Sequence, residues 1–136
     1  MLFRSKFGKL VAQLVEAEGV NEKMAEFINP LAYLGEQMTK FTTELGFKGM
    51  QNPDEVGAAA VPYLRVAGHL VFAYFFARMA QAALRAIEAG STDPFYTAKL
   101  QTARFYFAKL FPETATLMRL ARSGSKVLMD TEQALA

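Results

Sequence analysis

Residues 66–77 read VAGHLVFAYFFA, and this stretch decides the fold. It lies inside a longer segment, from about residue 52 to residue 90, that has the composition of one helix. Apolar side chains fill nearly every position between Val66 and Ala77, so a helix here has no polar face. Such a helix has to be surrounded by other helices or by lipid. We therefore expect residues 52–90 to form the central helix of the protein.

The ends of this helix carry clear signals. Asn52 can cap the first turn, Pro53 suits the first helical position, and two acidic residues follow at the positive end of the helix dipole. Gly90 is a natural stop. Pro62 lies in the interior and predicts a bend or a gap in the backbone hydrogen bonds.

The segments before the central helix have one apolar face each. A short amphipathic helix is predicted up to Gly19, from apolar residues at helical spacing: Phe3, Phe7, Leu10, Val11, Leu14 and Val15. Asn21 can cap a second helix, in which Pro30 predicts a kink or a fresh start. Gly46 and Gly49 predict its end, with a loop over residues 46–51. Its apolar stripe is Phe27, Leu31, Leu34, Met38, Phe41 and Leu45.

The last long segment repeats the same logic. Asp93 or Thr92 can cap it, Pro94 suits its start, and Pro112 predicts a kink. Its stripe is Tyr96, Leu100, Ala103, Phe107, Leu110, Thr114, Leu117 and Ala121. Residues 123–125 should end the helix, and residues 126–136 are expected to form a partly ordered tail.

No stretch alternates in the manner of a β-strand, and short loops between long helices favour antiparallel neighbours. The sequence therefore predicts an all-α protein, an up-down helical bundle of four main helices with a long kinked central helix at about 52–90. A chain of 136 residues is most simply one domain, residues 1–136.

Composition limits the possible partners. The chain is 52% hydrophobic, which predicts a thick core or an apolar surface covered by a partner. It has no cysteine, which excludes disulfides and fits a cytoplasmic location. The net charge of +2 is too balanced to indicate a nucleic-acid partner. Residues 56–77 are long enough for a membrane span, but Arg65 and His69 lie inside that stretch, so we expect no span.

Candidate chemistry is sparse. His69 is the only histidine, and its neighbours on the same helix face are Arg65, Phe72 and Phe76, which supply neither a nucleophile nor an orienting acid. The sequence contains no Glu-x-x-His pair, and its carboxylates are expected mostly on solvent faces, so no metal site is predicted. Arg104 lies within an aromatic run, where it is expected to form the polar edge of a packed helix.

These patterns predict no catalytic, cofactor-binding or metal-binding residue in the chain. The candidates for an interface are Arg65, His69, Phe72, Phe76 and Arg104.

Two stretches together resemble a known family. Residues 52–65 read NPDEVGAAAVPYLR, and residues 93–106 read DPFYTAKLQTARFY, followed by Leu110, Phe111 and Pro112. This order is similar to the extra C-terminal helical domain of a subgroup of acyl-CoA dehydrogenases, which includes enzymes that act on 3-methylthiopropanoyl-CoA and related thioesters. The resemblance covers about residues 20–130.

The resemblance implies a non-catalytic domain of a larger flavoenzyme. In that family the FAD-binding part and the catalytic carboxylate precede this domain, so no cofactor is expected in this chain and FAD is implied for the full-length enzyme. The implied partners are the catalytic core of the parent enzyme and further copies of the same chain. A separate small protein that has lost the core is an alternative within this interpretation.

A second class of function is an amphipathic helical coat or adaptor, like the phasins that cover storage granules. Its long helices would bind lipid or polymer surfaces, whereas the apolar stretch 66–77 favours a closed core. A free-standing enzyme is the third hypothesis, and the absence of a nucleophile–base pair from the sequence pattern argues against it.

Overall fold

The structure, a computed structural model, describes residues 5–130. The predicted contribution of Phe3 to the first helix and the end of the predicted tail lie outside these residues. The described chain forms helix α1 (Lys6–Glu18), a 3₁₀ turn (Glu22–Met24), α2 (Ala25–Gln51) and α3 (Asp54–Glu88). It continues through α4 (Pro94–Phe105), a π-helix (Tyr106–Leu110), α5 (Glu113–Arg122) and the short α6 (Lys126–Met129). Residues 5–130 contain no strand, and the predicted all-α bundle is confirmed.

The helix starts follow from local side-chain chemistry. Asn52 Oδ1 accepts a hydrogen bond from the Asp54 amide at 3.1 Å, Asn21 accepts from Lys23, and Asp93 accepts from Phe95. Each bond satisfies an amide that the first helical turn leaves without a partner. Gly90 ends α3 with φ of +99°, a conformation that glycine adopts without steric cost. The predicted cap at Asp93 and stop at Gly90 are confirmed, whereas Asn21 caps the 3₁₀ turn that precedes α2, and Asn52 lies one residue before Pro53, the N-cap residue of α3.

Helix α3 is the centre of the bundle, as predicted. It packs against α2, α4 and α5, while α1 packs mainly on α2. The core between α2 and α3 contains side chains that are completely or almost completely buried: Phe27, Leu31, Met38, Val66, Leu70 and Ala73. Helix α3 runs through Pro62, and α2 runs through Pro30 without a new start.

The predicted loop at residues 46–51 is wrong, because α2 continues to Gln51. Gly49 is required inside the helix for a different reason. A Cβ built on Gly49 would lie 2.5 Å from Cγ2 of Val56, so α3 crosses the end of α2 too closely for a side chain. Two residues, Asn52 and Pro53, are then sufficient for the turn between the helices.

The predicted kink near Pro112 is present in an unexpected form. Proline has no amide hydrogen and cannot continue the helical ladder. The chain leaves the α-helical pattern six residues earlier, in the π-helix, where the Phe111 amide donates to the Tyr106 carbonyl at 2.9 Å. The last long segment is therefore two helices, and α5 has a register of its own.

The expected enclosure of the central helix is wrong for one side of it. Val66, Leu70, Ala73 and Ala77 are buried, but several large apolar side chains of the same helix point to solvent. Helices α2, α4 and α5 pack along α3, and α1 contacts its C-terminal half through Phe7 and Glu18, but one side of α3 stays uncovered.

Candidate functional site

The side chain of Tyr106 is the centre of a cluster that joins three helical elements. Tyr106 is the first residue of the π-helix and is 2% exposed. Its hydroxyl donates to the His69 carbonyl of α3 at 3.0 Å and lies 3.0 Å from His69 Nδ1. Burial raises the pKa of this hydroxyl above its ordinary value of 10.0, so it stays protonated.

His69 connects this tyrosine to α5. Its Nε2 lies 2.9 Å from Oε2 of Glu113, and the other carboxylate oxygen of Glu113 pairs with Arg65. The pKa of the Glu113 carboxyl is held below its ordinary value first by the hydrogen bond from His69 and then by the charge of Arg65.

The hydrogen bonds of His69 leave neither ring nitrogen free. Nδ1 has the Tyr106 hydroxyl as its partner and Nε2 has the Glu113 carboxylate. With both nitrogens engaged inside the protein, the ring is not placed to act on a substrate as a general base.

Aromatic rings complete what we call the Tyr106 cluster: Tyr106, His69, Glu113, Arg65, Phe72 and Phe76. The ring of Phe76 stacks on Tyr106 with centroids 4.5 Å apart, and Phe72 meets the same ring edge-on at 6.4 Å. Four of the five residues predicted for an interface are thus brought together. Arg104 lies elsewhere and pairs with Glu26 of α2 at 2.5 Å.

A second polar cluster was missed by the sequence analysis. Glu18 is 8% exposed and accepts hydrogen bonds from Gln81 at 2.6 Å and from Asn21 at 3.0 Å, with Arg85 at 3.5 Å. The prediction that the carboxylates lie on solvent faces is wrong for this residue. Glu18 continues the helical spacing of the apolar residues Phe7, Val11 and Leu14. Its position on this apolar face is the feature of the sequence that could have predicted its burial.

The side chains and grooves of the described residues show what the surface offers to a ligand. Between Ser5 and Asp130, no group of three or more histidine, cysteine, aspartate or glutamate residues could hold a metal ion. A groove of about 430 Å³ between α2 and α5 is lined mainly by apolar side chains, with Arg119 and Arg122 beside them.

The most prominent surface feature is an exposed apolar strip on α3, which we call the α3 face. Val61 is 71% exposed, Leu64 72%, Phe72 57% and Phe75 60%. The α3 face consists of Gly57, Ala60, Val61, Leu64, Gly68, Val71, Phe72 and Phe75, which recur every three or four residues. Phe72 belongs both to this face and to the Tyr106 cluster.

Among residues 5–130, one helix is long and apolar enough to cross a membrane, and that helix is α3. Length and composition alone give this result, and the central helix of a water-soluble bundle can meet the same criteria. Only 22% of its most apolar 18-residue window is buried, because the α3 face lies within it.

Comparison with protein families identifies the domain. The family described as "Acetyl-CoA dehydrogenase C-terminal like" matches residues 7–132. The chain belongs to this family. The match extends over all the helices described above, and it confirms the predicted relationship to the C-terminal domain of acyl-CoA dehydrogenases. A search of curated proteins gave no match.

Proposed function

We propose that this chain is the non-catalytic C-terminal domain of an FAD-dependent acyl-CoA dehydrogenase, and that it serves packing against the catalytic core and contacts between subunits. The family match over residues 7–132 is the observation that carries the proposal. The Tyr106 cluster supports the structural part, because its polar groups are engaged with one another and leave none free to act on a substrate.

The parent enzyme would oxidise an acyl-CoA thioester in the cytoplasm. The resemblance of residues 93–106 favours 3-methylthiopropanoyl-CoA and related thioesters as its substrate class. FAD accepts the hydride in such chemistry. The described residues do not fit FAD, since they provide no glycine-rich phosphate loop after a strand and the groove between α2 and α5 is mainly apolar. The flavin would be bound by other parts of the parent enzyme.

Two assays test this proposal. The purified chain is mixed with FAD and with an acyl-CoA, and flavin absorbance is followed after gel filtration. We expect no retained flavin and no dehydrogenation. In the second assay the chain should bind a hydrophobic dye or self-associate, because the α3 face is exposed. Retained flavin with turnover, or a monomer that binds no dye, would contradict the proposal.

A helical coat protein is the alternative, and the exposed α3 face favours it more than the sequence pattern did. Flotation with lipid vesicles separates the two functions. A coat protein would float with the vesicles, whereas a packing domain would stay in the dense fraction.

A further inference from the structure

The α3 face has features that the fold of a single chain does not require. Apart from the adjacent residues and the backbone of its own helix, nothing in the described chain lies within 4 Å of a Cβ built on Gly57 or on Gly68. Glycine is one of the least favourable residues inside a helix, and close approach of another chain is a common reason for its presence. Glycine at Gly49, in contrast, is explained by Val56 of the same chain.

The distribution of sizes along the face is self-complementary. Two copies of α3 can be placed side by side and antiparallel, with residue 66 of one copy level with residue 66 of the other. Two residues of different copies are then level when their numbers add up to 132. In this register Gly57 lies opposite Phe75, and Leu64 lies opposite Gly68. Ala60 is then level with Phe72, and Val61 with Val71, but on opposite edges of the face. Two antiparallel copies of α3 in this register would place a glycine against each large side chain on the midline of the face, Leu64 and Phe75, over about 27 Å.

The charged residues at the two ends of the α3 face are also complementary in this register. Asp54 and Arg78 also add up to 132, and both are exposed. In the antiparallel pair each aspartate would lie at the level of an arginine of the other copy, on the opposite edge of the face, so the two ends that meet carry opposite charges. A parallel pair would set Phe75 against Phe75 and would place like charges together at both ends. Arg65, at the flank of the face, is already paired with Glu113.

We infer that the α3 face binds the α3 face of a second copy, antiparallel about a twofold axis near residue 66. This isologous contact uses one surface on both chains. The inference rests on the proposed function, since it names the partner and register of the subunit contact. A lipid surface is disfavoured as the partner, because binding to lipid requires neither the alternation of small and large residues nor the opposite charges of Asp54 and Arg78.

The chain has no cysteine, so introduced cysteines report the register directly. We propose Gly57→Cys and Phe75→Cys as separate variants, oxidised alone and as a mixture. The antiparallel pair brings residue 57 of one copy to residue 75 of the other. It keeps two residues 57, or two residues 75, about 27 Å apart, too far for a disulfide.

The expected result is a disulfide-linked dimer in the mixture and none in either variant alone, with the 57–75 link identified by mass spectrometry. Val20→Cys mixed with Phe75→Cys is the control, since Val20 is 95% exposed and follows Glu18, which contacts the far end of α3. Linked dimers of a single variant, or no link in the mixture, would overturn the inference.

A second pair of variants tests the contact without oxidation. Gly68→Leu would fill the space needed by Leu64 of the partner, so we expect the dimer dissociation constant to rise at least tenfold by analytical ultracentrifugation. Gly46→Leu is the matched control, because Gly46 is also a helical glycine with nothing within 4 Å of its added Cβ, but on α2. The change Leu64→Ala added to Gly68→Leu should restore dimerisation.

Failure of this inference differs from failure of the proposed function. A monomer, or a dimer unaffected by Gly68→Leu, overturns the α3 pairing and leaves the result of the flavin assay unchanged. Flotation of a monomeric chain with phosphatidylcholine vesicles would also overturn it and would assign the α3 face to lipid.

Discussion

At the scale of single residues, stability depends on a few polar side chains with exact partners inside an apolar bundle. Tyr106 and Glu18 are almost completely buried, and both are hydrogen-bonded to residues distant in sequence. Loss of one partner leaves the other groups desolvated without a bond, which costs more than the bond itself contributes.

Tyr106→Phe tests the hydroxyl of the Tyr106 cluster. The change keeps the ring and its stacking on Phe76 but removes the bonds to the His69 carbonyl and ring. We expect the free energy of unfolding to fall by about 1–2 kcal/mol, measured by urea denaturation. Tyr33→Phe is the control, since Tyr33 is 64% exposed, and it should change stability little. Equal effects of the two changes would contradict the importance of this network.

Glu18→Gln tests the second polar cluster through pH. The hydrogen bond from Gln81 is the main reason that the pKa of Glu18 lies below its ordinary value of 4.5, and Asn21 and Arg85 add to it. Because the folded pKa is depressed, the stabilisation is present above pH 4.5 and is lost as pH falls through the folded value. At pH 7 the variant should lose about 1.5–3 kcal/mol of stability.

The stability difference between wild type and Glu18→Gln should therefore shrink as pH falls below 4.5, followed by denaturation at several pH values. Glu16→Gln, an exposed neighbour on α1, is the control and should show no comparable gap. A gap for Glu18→Gln that stays constant from neutral to acidic pH would rule out this assignment.

At the scale of elements, two glycines of α2 have opposite roles although they lie three residues apart. Gly46 has open space around its position, whereas Gly49 is covered by Val56 of α3. The hairpin between α2 and α3 therefore depends on one of these glycines only.

Gly46→Ala and Gly49→Ala form a matched pair of variants. Alanine at position 46 should raise the free energy of unfolding by about 0.5–1 kcal/mol, as expected inside a helix. Alanine at position 49 should lower it by about 1–3 kcal/mol, because Val56 has to move. Adding Val56→Ala should recover most of the loss in a double-mutant cycle, and an additive result would refute the contact.

The sequence predicted those elements whose cause is local. The caps at Asn21, Asn52 and Asp93 involve neighbours two residues away, and the stop at Gly90 is a property of its own backbone. It predicted the end of α2 wrongly because the need for Gly49 comes from Val56 across the turn. The partners of Tyr106 and Glu18 are 37 and 63 residues away, and helical spacing alone does not align such distant positions.

At the scale of the whole molecule, α3 has two different apolar sides. One is covered by α2, α4 and α5, and the other forms the α3 face. The apolar sequence of a helix does not show whether its apolar sides are covered by the same chain or exposed, so the open side of α3 was not predicted. The short helix α6 is joined to α3 by hydrogen bonds between Ser125 and Glu55.

The attachment of α6 can be tested by hydrogen exchange. Oε1 of Glu55 accepts from the Ser125 hydroxyl at 2.6 Å and from its amide at 3.2 Å, and Ser125 begins α6. In Glu55→Ala we expect amides of residues 125–130 to exchange about tenfold faster while the interior of α2 and α3 is unchanged. Glu36→Ala is the control, because Glu36 pairs only with Lys40 of its own helix. Faster exchange throughout the bundle would contradict a local attachment.

The π-helix at residues 106–110 also bears on how this domain tolerates changes in length. A π-turn contains one residue more than an α-turn, so deleting one residue between Tyr106 and Leu110 could restore an ordinary helix without breaking the chain. Because the five residues of the π-turn occupy about the place of four in an α-turn, the residues after the deletion would keep their direction around the helix axis. Glu113 would then still face His69, and relatives that are one residue shorter here should keep this acid–histidine pair with one residue fewer between the two partners.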